Sequence, residues 1–188
     1  MSSKLPKGSG ERGWSLSWYD LKKIDIILQE GNTILELGSG ASTVELVKKY
    51  KVITVESNEK WLNLAPEAKY IYAPIKPVKP TKQFDFCNEW YDPEILKIEL
   101  KNLNYDLILI DGPPSFRRVG FWKYKDLFNL DVPLVFDDSH RHYIWQMINF
   151  LARATDNNTP VITYHCNTAK ACSILLPKTY NNFLGKLV

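Results

Sequence analysis

Apolar positions along this chain fall into two alternating rhythms. Trp18, Leu21, Ile24, Ile27 and Leu28 recur at helical spacing. Ser17 and Asp20 have the three-residue separation of a capping box, and Gly31-Asn32 supplies a stop. Residues 33–37 then form a short β-prone run. Val44, Leu46 and Val47 predict a helix through Tyr50, residues 51–56 a second strand, residues 59–65 a short helix ended near Pro66, and residues 70–72 a third strand. Residues 73–92 break the rhythm. Pro74, Pro77 and Pro80 predict an extended, partly polyproline-like connection, either a surface loop or a lid contacting substrate. Asp92-Pro93 opens a helix carrying Ile95, Leu96, Ile98 and Leu100. Residues 105–110 are nearly all apolar, as in a strand covered on both faces. A helix over 121–129, a strand over 132–136 and a helix with the stripe Ile144, Met147, Ile148 and Leu151 follow. Residues 161–164 and 172–176 read as a closing antiparallel pair.

Strands alternating with helices predict an α/β doubly wound fold, mostly parallel, with helices on both faces. No internal repeat or second boundary interrupts it, so the expectation is a polar arm over residues 1–13 and one domain over 14–188. Composition sharpens this only slightly. Hydrophobic residues at 45% and a net charge of +3 exclude a disordered chain. The lysines are scattered and balanced by acids, which argues against a dedicated nucleic-acid surface. No apolar run reaches membrane-spanning length. Cys87, Cys166 and Cys172 are odd in number and lack Cys-x-x-Cys spacing, so neither a disulfide framework nor a zinc site is indicated, and a reduced cytoplasmic setting is expected.

In open α/β sheets, ligands bind beyond the carboxyl ends of the strands. The residues just after the predicted strands are therefore the candidates. The first tip is Glu36-Leu37-Gly38-Ser39-Gly40, a glycine loop leading into a helix, where backbone approaches a ligand closely and free N–H groups face it. The second is Glu56-Ser57, where an acid can accept hydrogen bonds from ribose hydroxyls. The fourth and fifth are Asp111-Gly112 and Asp137-Asp138. A dinucleotide fingerprint would need a third small residue where Thr43 stands.

The glycine loop with its leading acid Glu36 resembles the first motif of the class I S-adenosylmethionine-dependent methyltransferases. Glu56 resembles their acid after the second strand, and Asp111 in Leu109-Ile110-Asp111-Gly112-Pro113-Pro114 their motif after the fourth. The resemblance spans about residues 17–176 in element order. It implies a Rossmann-like, seven-stranded sheet with the last strand antiparallel. It also implies S-adenosylmethionine as cofactor, with Gly38 and Gly40 near its methionine part and Glu56 on its ribose. Ala73-Pro74-Ile75 stands where many members carry an adenine contact, so none is assigned.

Two catalytic routes are open. Asp111, Asp137 and Asp138 are hard oxygen ligands of a type that suits Mg²⁺, which would activate a hydroxyl acceptor; the spacing resembles catechol-type O-methyltransferases. Alternatively His140 acts as general base while Arg141 holds a carboxylate or phosphate of the substrate. Trp14, Trp18, Trp90 and Tyr91 are either pocket-lining or core. Arg117 and Arg118 are either anion-binding or a surface pair. The expected partner is a small polar or sugar-like acceptor. Rival readings are a nucleotide-dependent oxidoreductase of NAD(P) type and a non-catalytic binding module on the same fold.

Overall fold

The computed structural model describes residues 16–155, 161–165 and 170–187; the expected arm over 1–13, Trp14 and Cys166 lie outside them. In chain order the elements are α1 (Trp18–Ile27), β1 (Thr33–Leu37), α2 (Ala41–Leu46), β2 (Lys51–Glu56), β3 (Lys69–Tyr72), β4 (Ile75–Pro77), β5 (Glu89–Tyr91), α3 (Pro93–Glu99), β6 (Leu107–Ile110), α4 (Gly120–Tyr124), β7 (Leu134–Phe136), α5 (His142–Thr155), β8 (Val161–His165), β9 (Ala171–Leu175) and α6 (Leu184–Leu187). The main sheet has seven strands in the order β3-β2-β1-β6-β7-β9-β8. Strands β3 to β7 in that order are parallel, and β9 runs antiparallel to both β7 and β8. The doubly wound expectation with a last antiparallel strand is met.

The alternation of strand side chains builds a core on each face. Leu35, Leu37, Ile108 and Ile110 pack with Leu96 of α3, Phe121 of α4 and the α5 stripe Ile144, Met147, Ile148 and Leu151. Ile34, Leu107 and Leu109 pack on the opposite face with Ile24 of α1, Leu46 of α2 and Leu187 of α6. Each such side chain contributes about 1.5–3 kcal/mol on burial. Ser17 caps α1 through the expected box: its hydroxyl accepts from Asp20 N–H, and the Asp20 carboxylate accepts from Ser17 N–H.

Three expectations are corrected. The helix over 59–65 is only a 3-10 turn, Glu59–Trp61, because Asn63 takes a left-handed φ of 59° and Pro66 follows. The helix over 121–129 shrinks to α4, flanked by 3-10 turns at Ser115–Val119 and Lys125–Leu127. Residues 73–92, expected as an extended loop or a lid, carry regular structure at both ends: β4 and β5 pair as an antiparallel hairpin. Its Phe84, Trp90 and Tyr91 are fully enclosed, a larger apolar gain than three prolines can oppose.

Candidate active site

Strand order reverses at β1, which lies between β2 and β6. A crevice must open there, at the carboxyl ends. A cavity of about 570 Å³ occupies it, lined by the tips of β1, β2, β5, β6 and β7.

Its floor is made of backbone. Gly38 has φ +96°, and a Cβ there would lie 2.8 Å from Gly112 Cα. A Cβ on Gly112 would lie 2.7 Å from Gly38 Cα and 2.5 Å from the Tyr91 hydroxyl. The chain after β1 and the chain after β6 thus touch without side chains between them. Asp111 N–H and Gly112 N–H both donate to the Leu37 carbonyl, the first at 3.0 Å.

Glu36 lies beneath this floor, fully buried, and does not line the cavity. Thr43 Oγ1 donates to its Oε2 at 2.7 Å and accepts from Gly40 N–H at 2.9 Å. The threonine that spoils a dinucleotide fingerprint therefore fastens the loop to the strand. Burial pushes the Glu36 carboxyl up to about 8, with the charges of Asp111 and Glu56 adding to the push and the Thr43 hydrogen bond opposing it.

Glu56 lines the cavity and holds the loop in place. Its Oε2 accepts from Ser39 N–H at 2.9 Å, and its Oε1 from Ser57 N–H at 2.6 Å and Asn58 N–H at 2.7 Å. A carboxylate oxygen has two acceptor positions, so Oε2 retains one that a ribose hydroxyl can fill. Ser57 also lines the cavity, as does Trp61, a residue the sequence reading missed; Ser39 Oγ donates to the Trp61 carbonyl.

The opposite wall is organised by Arg118, which is buried rather than half of a surface pair. Its Nη2 meets Asp111 Oδ1 at 3.2 Å and also the Asp111 carbonyl. Its Nη1 meets the Asp137 carbonyl at 3.0 Å and Asp138 Oδ2 at 3.4 Å. One guanidinium therefore ties the tip of β6 to that of β7. Arg117 instead pairs with Glu89 of β5 at 2.7 Å. Asp138, at φ +57°, is also held by Arg141 at 2.9 Å. Asp137 is buried against Lys170 at 2.7 Å and accepts a contact from the Cys172 thiol. Burial, then the Asp137 charge, raises the Asp111 carboxyl, opposed by Arg118 and Lys170.

These facts correct the Mg²⁺ expectation. Among the described residues Asp111, Asp137 and Asp138 do not form a group of three close ligand atoms; the one such group is Asp20, Asp137 and Cys172. Arg118, Arg141 and Lys170 already pair with the three aspartates, and a divalent ion would have to displace them. The residues do not fit Mg²⁺.

His140 is exposed and absent from the cavity lining; its Nδ1 faces the Ala171 N–H at 3.3 Å. Arg141 does line the cavity, with its side chain 40% exposed and a bond to the Tyr143 hydroxyl. Trp18 is exposed on α1 away from the lining, and Trp90 is core, stacked on Tyr124 with centroids 4.9 Å apart. Tyr91 does reach the cavity.

No family model and no curated protein matches the sequence. Solved structures do match the fold. An O-methyltransferase from Bacillus cereus in complex with S-adenosylhomocysteine superposes with a TM-score of 0.54 at 13% identity, over 84% of this chain and 80% of that one. The O-methyltransferase TomG from Streptomyces achromogenes, in complex with S-adenosylmethionine, gives 0.53 at 12% identity over 85% and 79%. Human methyltransferase-like protein 13, bound to S-adenosylhomocysteine, gives 0.52 at 11% identity over 89% and 86%. The chain has the fold of the class I S-adenosylmethionine-dependent methyltransferases. Within that class, O-methyltransferases are among the structures it is similar to.

Proposed function

We propose that this protein is an S-adenosylmethionine-dependent methyltransferase acting on a hydroxyl of a small polar or sugar-like acceptor. The observation that carries the reading is the cavity at the β1 switch point. There a side-chain-free floor, Gly38 against Gly112, lies beside a carboxylate, Glu56, that is fixed by three backbone amides. The bound cofactor would supply a methyl group on a sulfonium. Gly38, Ser39 and Gly40 give it room for close backbone approach, while Glu56 and Ser57 face its ribose.

On the acceptor side, Asp111 would take the proton that the acceptor hydroxyl gives up on methylation. Its raised proton affinity suits that role. Arg141 and Asp138 orient the acceptor. Phe86, half-exposed, meets Phe116 and Tyr143 edge-on at centroid distances of 6.5 and 6.4 Å, a rim beside Arg141 suited to a ring-shaped acceptor. His140 does not line the cavity and has no part in this scheme.

Calorimetric titration of the purified protein with S-adenosylhomocysteine and, separately, with NAD(H) tests the proposal. Binding of the first without the second is expected. NAD(H) binding alone would replace the reading with the oxidoreductase one.

A further inference from the structure

Tyr91 is the least economical residue in the cavity. Its side chain is completely buried, yet its hydroxyl has no hydrogen-bond partner among the described residues. An unmade bond at a buried hydroxyl is a net cost to the folded state. Much of the surrounding structure holds it there. Tyr91 ends β5, whose Trp90 is fixed by a parallel stack on Tyr124 and by edge contact with Phe128. A Cβ on Gly120 would run into the Trp90 ring, so α4 can carry only glycine at that contact. Gly112 likewise leaves the space the hydroxyl occupies. The hairpin therefore delivers one phenol to the cavity, beside the glycine floor.

Burial keeps the phenol proton well above its ordinary range, with the Glu56 charge the next cause, so the group is a donor at neutral pH. Its hydroxyl abuts the glycine floor, 2.5 Å from where a Cβ on Gly112 would stand. It lines the same cavity as Glu56, whose carboxylate can accept a further hydrogen bond there. A ligand there must offer Glu56 hydroxyls and Tyr91 an acceptor. A nucleoside does both, through its ribose hydroxyls and through its ring oxygen or purine nitrogens.

We infer that the β4–β5 hairpin is a ligand-binding element, and that Tyr91 Oη donates a hydrogen bond to the nucleoside half of the molecule held in this cavity. The inference rests on the cofactor reading above and adds a contact to it.

The experiment compares unaltered protein, Tyr91→Phe and the control Tyr19→Phe, whose phenol is exposed on α1. Each is titrated with S-adenosylhomocysteine and with adenosine, and the melting temperature of each is recorded without ligand. Loss of one neutral hydrogen bond predicts binding roughly three- to tenfold weaker in Tyr91→Phe. The loss should be the same for both ligands, and the control unchanged. The ligand-free melting temperature of Tyr91→Phe should equal or exceed that of the unaltered protein, because an unpaired buried hydroxyl has been removed. A merely structural phenol would lower it, which overturns the inference. Equal affinities for both proteins would mean solvent satisfies the hydroxyl, and overturn the inference alone. A loss confined to S-adenosylhomocysteine would overturn the nucleoside assignment. Failure of the unaltered protein to bind S-adenosylhomocysteine would instead remove the proposed function, and this inference with it.

Discussion

Arg118 shows how one side chain decides what the acidic cluster is for. Its guanidinium reaches Asp111, Asp138 and the Asp137 carbonyl from a position only 4% exposed. Replacing it with Met, which keeps bulk but removes charge, leaves the Asp111 carboxylate without its ion-pair partner, while Asp138 keeps Arg141. Stability should fall by about 3 kcal/mol. Urea unfolding at pH 7 and pH 5 would measure this. The penalty should be smaller at pH 5, because Asp111 takes a proton more readily than an ordinary aspartate. A penalty independent of pH would mean Arg118 acts through packing alone. The sequence made the carboxylates legible, since each ends an apolar strand. It did not reveal Arg118, because adjacent arginines after Pro-Pro-Ser-Phe carry no mark of burial. The only local signal was Gly120, two residues on, whose bare α-carbon shows that something large approaches.

That approach belongs to the scale of elements. The hairpin and α4 meet where Gly120 faces Trp90. Gly120→Ala should force Trp90 aside, and with it Tyr91 at the cavity. A lower melting temperature and weaker S-adenosylhomocysteine binding are expected together. An unchanged affinity in a destabilised protein would show that the hairpin does not communicate with the cavity. The strands of the main sheet were readable because uninterrupted runs such as Leu107–Ile110 have one stable use in a small α/β chain. The hairpin was not readable. Its strands are three residues each, Pro77 sits in one of them, and the side chains that anchor it follow after a polar stretch. Short helices failed for a related reason: a stripe over 121–129 fits one α-helix or two 3-10 turns around a shorter one.

The protein as a whole should record Glu36 in its pH dependence. Its carboxyl rises from 4.5 in the open chain to about 8 when folded. Between those values the folded state keeps a proton that the unfolded state has released. This group therefore makes folding less favourable as pH rises through that window, with no further change above about 8. Glu36→Gln removes the titration and keeps an acceptor for Thr43. Its stability advantage over the unaltered protein should grow from pH 5 to pH 8 and then level off in urea unfolding. A constant gap would mean that Glu36 is ionised throughout. The same global measurements address metal: neither EDTA nor Mg²⁺ should change the melting temperature or the affinity for S-adenosylhomocysteine, because Arg118 and Lys170 supply the neutralising charge.

The contact between Gly38 and Gly112 makes two positions far apart in sequence behave as one in a genetic sense. An alanine at either must push the two strand tips apart, since the clash is backbone against Cβ on both sides. Once they have parted, a second alanine enters space already opened. The double variant Gly38→Ala/Gly112→Ala should therefore lose less stability than the two single variants added together, whereas distant independent sites would add. Substitution at this pair then has a threshold. The first change meets the shared part of the barrier, while the φ of +96° at Gly38 and the Tyr91 hydroxyl at Gly112 remain separate costs, so single-step variation should hold both glycines in place.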